Sequence, residues 1–124
     1  MIVQQTDNGD LLAFNTATGI LEWQDSTDGI NDPSGGVAIS PDRIYRAVDG
    51  DSIRAIDLSG NTQWQTQLGS FESAYYSGYS GVTMIDHLGN IYTKDRDGPI
   101  SSLAPNGDIN WTTTEHFFYD EIVA

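Results

Sequence analysis

The sequence contains no cysteine, which excludes disulfide bridges and thiolate metal sites and leaves the redox compartment open. Basic residues are scarce: Lys and Arg together number 5 in 124 residues, against 18 Asp and Glu, for a formal net charge of −13. Phosphate affinity is built from cationic side chains, so nucleic acid is not an expected partner. An anionic membrane surface would repel such a chain. No apolar run reaches the length of a membrane span, and the opening Met1-Ile2-Val3-Gln4-Gln5-Thr6-Asp7 lacks the basic and apolar regions of a signal peptide. The expectation is no membrane insertion and a cytoplasmic or particle-associated location. The two histidines, His87 and His116, show no metal-ligand spacing. Gly78-Tyr79-Ser80-Gly81 is one residue short of a Gly-x-Ser-x-Gly nucleophile elbow. The expected sets of catalytic residues, metal ligands and cofactors are all empty.

What remains is the composition of a small β-rich domain. Hydrophobic residues make up 38% and aromatics 10% of the chain, enough for a packed core. A chain of this size buries roughly two-thirds of the surface it exposes when unfolded, so one domain spanning residues 1–124 is expected. Glycine is abundant, and Asp outnumbers Glu, a bias that suits turns better than helices.

Three segments repeat. Gly9 to Trp23, Gly50 to Trp64 and Gly98 to Trp111 each read as turn glycine, short strand, second turn glycine, short strand, tryptophan. The second glycines are Gly19, Gly60 and Gly107, and in every copy the tryptophan (Trp23, Trp64, Trp111) follows four residues later. The tryptophans are spaced by 41 and 47 residues, a period that belongs to four-stranded propeller blades. Ile44-Tyr45 and Ile91-Tyr92 begin matching stretches that run to Asp49-Gly50 and Asp97-Gly98, with one extra residue in the latter. Asp-Gly and Asn-Gly pairs are hairpin-turn signals. In Ile53 to Asp57, alternation predicts a strand with two different faces. The strand signals sum to about twelve. The predicted blades cover 1–24 completed by a C-terminal strand at 117–123, then 36–67, then 82–113.

The repeat resembles the pyrroloquinoline-quinone-type (quinoprotein-like) propeller repeat, with its motif Ala-x-Asp-x-x-Thr-Gly-x-x-x-Trp. Ala13, Asn15, Thr18, Gly19 and Trp23 match it with Asn for Asp; Ala55, Asp57, Gly60 and Trp64 match with one residue deleted; Ala104, Gly107 and Trp111 match in part. Sialidase-type Asp boxes and WD repeats fit less well. The resemblance implies an all-β chain of three four-stranded antiparallel blades, with each tryptophan packed between adjacent blades. Trp23, Trp64, Trp111, Gly19, Gly60 and Gly107 are accordingly the expected blade-docking residues.

Propellers close with about four to eight blades, so three form an incomplete ring unless the chain self-associates or belongs to something larger. A homo-oligomer, in the first instance a dimer of six blades, or a complex with another protein is expected. Phe71, Tyr75, Tyr76 and Tyr79 lie among small residues, as in a recognition loop. The Asp-rich turns at 7–10, 49–51 and 95–98 lack a complete calcium-loop pattern and read as ordinary turns. These features point to a non-catalytic binding or assembly module that acts through protein or glycan contacts. The alternatives are a structural subunit of a virus particle or other large assembly, and a fragment of a quinone-dependent dehydrogenase.

Overall fold

A computed structural model describes residues 1–6, 8–26, 37–48, 52–68, 83–94 and 99–114. These residues form eleven strands and no helix: β1 (Ile2–Gln5), β2 (Leu11–Phe14), β3 (Leu21–Asp25), β4 (Val37–Ile39), β5 (Arg43–Val48), β6 (Ser52–Asp57), β7 (Thr62–Gln67), β8 (Thr83–Ile85), β9 (Ile91–Lys94), β10 (Ile100–Leu103) and β11 (Ile109–Thr112). They pair antiparallel as three sheets in simple up-and-down order: β1-β2-β3, β4-β5-β6-β7 and β8-β9-β10-β11. The all-β expectation of stacked propeller-type blades holds. The expected strand at 117–123 and the aromatic loop with Phe71, Tyr75, Tyr76 and Tyr79 lie outside the described residues.

The hairpin turns explain the spacing of the glycines. Gly60 N–H donates to Asp57 O, and Asp57 N–H donates to Asn61 O. The same pair of bonds recurs at Thr6–Asp10, Asp86–Asn90 and Ala104–Asp108. The glycine of each turn has positive φ, between 83° and 93°, a conformation that costs a residue with a Cβ about 1–2 kcal/mol. In the β2–β3 turn Gly19 N–H reaches Asn15 O instead, so this turn holds one more residue. That is the physical basis of the one-residue deletion in the second copy of the motif.

Register repeats as closely as sequence. Three cross-sheet rows run Val3–Ala13–Trp23, Tyr45–Ala55–Trp64 and Tyr92–Ser102–Trp111. Each sheet has a bulge immediately after its row, at Ala13/Phe14, Ala55/Ile56 and Ser102/Leu103. The next row inward on the repeat pairs Ile2 with Phe14, Ile44 with Ile56 and Ile91 with Leu103. Because side chains alternate across a strand, these two rows mark opposite faces of each sheet.

The core lies between sheets. Leu11 packs with Ile44 and Ile56, joined by Val3, Trp23 and Val37, in the seam between the first and second sheets. Tyr45 and Ala55 pack with Ile91 and Leu103, joined by Trp64, Leu68 and Ile85, in the seam between the second and third. The middle sheet is covered on both sides, so its central strands β5 and β6 are buried nearly throughout. Alternation in β6 therefore separates two buried environments. Ile53 and Ala55 face the third sheet and Ile56 faces the first.

Candidate interaction surface

The tryptophans sit on β3, β7 and β11, the last strand of each sheet. Trp23 leaves the first sheet and meets the β6–β7 turn of the second, where its Nε1–H donates to Leu58 O at 3.0 Å. Trp64 leaves the second sheet and meets the β10–β11 turn of the third, donating to Pro105 O at 3.0 Å. In both cases the acceptor carbonyl lies two residues before the turn glycine. The indole suits the position because one flat ring covers a wide apolar area and brings one donor to a turn carbonyl.

The glycines form the floor of these contacts. A Cβ on Gly60 would lie 2.8 Å from Trp23 Cγ, and one on Gly107 would lie 2.7 Å from Trp64 Cδ2. Further bonds close the second seam: Thr66 Oγ1 donates to Gly107 O at 2.6 Å and Arg43 Nη1 to Pro105 O at 2.7 Å. Tyr45 leans on Trp64 with ring centres 5.9 Å apart, and Tyr92 stands against Trp111 in the same way at 6.1 Å.

Among the described residues, the outer faces repeat the same parts without a partner. Trp111 is 47% exposed. Gly19 has φ of +70° and no atom within 4 Å of a Cβ built on it. Ile2, in register with the fully buried Ile44 and Ile91, is 58% exposed. Phe14, in register with the fully buried Ile56 and Leu103, is only half-buried.

A charged anchor fastens the first seam. Asp25, two residues beyond Trp23, accepts bonds from Arg46 Nη1 at 3.1 Å and Arg54 Nη1 at 2.9 Å. Arg46 is fully buried, and its Nη2 also donates to Gly9 O. Burial lowers the Arg46 pKa, while nearby Asp25 and Asp10 oppose that effect. The repeat pattern does not signal this group, because its members lie 21 and 29 residues apart in sequence and meet only once two sheets stack.

Two exposed turns are buckled by carboxylates. Asp86 accepts from Leu88 N–H, Asn90 N–H, Asn90 Nδ2 and Tyr92 Oη. These donors, led by Asn90, hold its pKa at about 2. Asp57 accepts from Ser59 N–H, Asn61 N–H, Asn61 Nδ2 and Gln63 Nε2, and its pKa is lowered chiefly by Asn61. Both carboxylates are spent on turn geometry, as the shared Asp-x-x-Gly-Asn spelling could have signalled. Among the described residues no three His, Asp or Glu side chains gather as a metal site.

A cleft of about 550 Å³ opens between the second and third sheets, with Ile39, Asp42, Arg43, Tyr45, His87 and Leu88 among its walls. It is broad and open, and Arg43 already bonds across the seam.

No family model matches the sequence, and no curated protein matches it. Solved structures do. BamB from Moraxella catarrhalis superimposes with a TM-score of 0.71 at 22% identity over 89% of this chain. A europium-containing methanol dehydrogenase superimposes with a TM-score of 0.65 at 11% identity over 90% of it. The chain spans 33% of the length of the first and 22% of the second. These likenesses show the fold, a quinoprotein-like β-propeller, of which the described residues make three blades and no closed ring.

Proposed function

We propose that this quinoprotein-like set of blades is a non-catalytic binding and assembly module that works by protein–protein contact. The observation that carries the reading is the tryptophan-on-turn seam. Among the described residues it is made twice, by Trp23 on the Gly60 turn and Trp64 on the Gly107 turn, and its two halves are presented unpaired by Trp111 and Gly19. An exposed indole beside a tyrosine ring has the composition of an interface anchor. The carboxylates whose pKa values are shifted are engaged in turns, where they have no free lone pair aimed at a substrate.

A photoreactive benzophenone side chain placed at position 109 in the producing cell, exposed on the same strand and leaving Trp111 in place, tests this. The expected result is a covalent adduct with a polypeptide. No adduct overturns the reading, as would reduction of a dye by the purified chain supplied with pyrroloquinoline quinone and Ca²⁺, which would instead support a dehydrogenase fragment. Adducts confined to components of a large particle would narrow the module to a structural subunit of that particle.

A further inference from the structure

The two faces of each sheet are unlike, and the difference is directional. Toward the following sheet the first blade presents Val3, Ala13 and Trp23, and the second presents Tyr45, Ala55 and Trp64. Toward the preceding sheet the second blade presents Ile44 and Ile56, and the third presents Ile91 and Leu103. Register assigns the remaining positions. Tyr92 and Trp111 form a forward face on the third sheet, and Ile2, Phe14 and the Gly19 turn form a backward face on the first. The chain thus carries both halves of a third seam at opposite ends of its stack.

We propose that a second copy of this chain supplies the missing halves. Trp111 of each copy seats on the Asn15–Gly19 turn of the other, and its Nε1–H donates to the Ala17 carbonyl. Ala17 stands two residues before Gly19, as Leu58 and Pro105 stand before Gly60 and Gly107. Tyr92 covers Ile2 and Phe14 of the other copy, as Tyr45 covers Ile91 and Leu103. The argument is continuity with the two seams already formed: a tryptophan and a turn glycine at matching positions, flanked by large apolar side chains in the same register. Two copies of the three described sheets give six blades, within the range of about four to eight that closes a ring, and both new seams are related by one two-fold axis. The inference rests on the reading of the blades as an assembly module and names its partner.

The net charge of −13 opposes association, while the seam itself is apolar. Salt should therefore strengthen the dimer by screening the repulsion between copies. Sedimentation velocity at micromolar concentration should show a dimer. Trp111→Ala and Ile2→Asp change side chains that are exposed in the single chain, so each variant should keep its circular dichroism and sediment as a monomer. Trp111→Ala should weaken association on the order of a thousand-fold, because the ring loses two indole anchors. An equimolar mixture of the two variants should recover dimer, since one of its two seams then combines an intact Trp111 with an intact Ile2.

A wild-type monomer overturns the proposal, as do a filament, a ring of another size, a dimer indifferent to both variants, a mixture that stays monomeric, or a dimer that salt dissolves. The benzophenone experiment separates this failure from that of the broader reading. An adduct with a different polypeptide leaves the module standing and removes the self-partner, whereas no adduct removes both.

Discussion

Alanine substitution at the three equivalent turn glycines should have unequal costs, and the difference isolates the docking contact. All three have positive φ: 70° at Gly19, 89° at Gly60 and 93° at Gly107. Each Gly→Ala change therefore incurs about 1–2 kcal/mol of backbone strain. At Gly60 and Gly107 the new methyl would also lie 2.8 Å and 2.7 Å from the indole above it, closer than carbon atoms can approach, whereas at Gly19 it meets nothing within 4 Å. Overpacking of this kind costs a further 1–3 kcal/mol, roughly, unless the ring can retreat. Retreat at Gly60 would break the Trp23 bond to Leu58 O, and retreat at Gly107 the Trp64 bond to Pro105 O. Gly60→Ala and Gly107→Ala should thus destabilise by about 2–5 kcal/mol in total and Gly19→Ala by about 1–2. Urea unfolding followed by far-ultraviolet circular dichroism measures these values. All three changes are best made in a Trp111→Ala background, where Gly19 faces solvent whatever the state of association. Removing the indole should relieve the excess, so Trp23→Ala and Gly60→Ala should be non-additive. Equal losses at the three glycines, or full additivity of that pair, would refute the reasoning.

Other expectations follow from the seams and turns. Asp25→Asn leaves Arg46 and Arg54 without their shared carboxylate charge and should cost about 3–5 kcal/mol in equilibrium unfolding; a loss comparable to that of a surface pair would contradict the burial of Arg46. Thr66→Val removes the bond to Gly107 O and should cost about 0.5–1.5 kcal/mol by the same measurement. The Asp86 carboxyl has its pKa lowered from 3.8 to about 2. Its contribution to the 86–90 turn is therefore fully present above pH 3.8 and is lost as the pH falls through about 2. The Leu88 and Asn90 amide resonances should titrate near that lower value, and Tyr92→Phe should move the midpoint upward by removing a donor; a midpoint near 3.8 would show that the turn does not hold the carboxylate. In the same network Tyr92 has its own pKa raised, chiefly by donating to Asp86, so its phenolate absorbance should develop at higher pH than in Asp86→Ala.

The blades were legible because their signals are local. A glycine with positive φ at each turn, short alternating strands and an indole four residues after the second glycine all act within one hairpin, and a sequence records such features in order. The seams were less legible for the opposite reason. Nothing near Asp25 says that it will meet Arg46 and Arg54, and the apolar residues of β6 do not reveal that one row faces forward and the other backward. Both facts depend on how twisted sheets stack, which links residues far apart in the chain. The repeat also concealed the buckled turn at Asp86–Asn90, which sits between the copies of the tryptophan motif. Phe71, Tyr75, Tyr76 and Tyr79, chosen for their composition, fall outside the described residues.

The one-way character of the blade has a consequence for how such chains can change length. A front that carries an indole and a back that carries branched aliphatics cannot be stacked front to front, so a reversed unit has nowhere to go. A duplicated unit in the original direction arrives with its indole and its turn glycine already placed, while a seam-specific group such as the Asp25–Arg46–Arg54 cluster has to be supplied or replaced. Growth or shrinkage by whole units keeps the indole-on-turn contact at each junction. What alters is the curvature each junction must bear, so the number of units is governed by geometry, while their order and direction are set by side-chain chemistry.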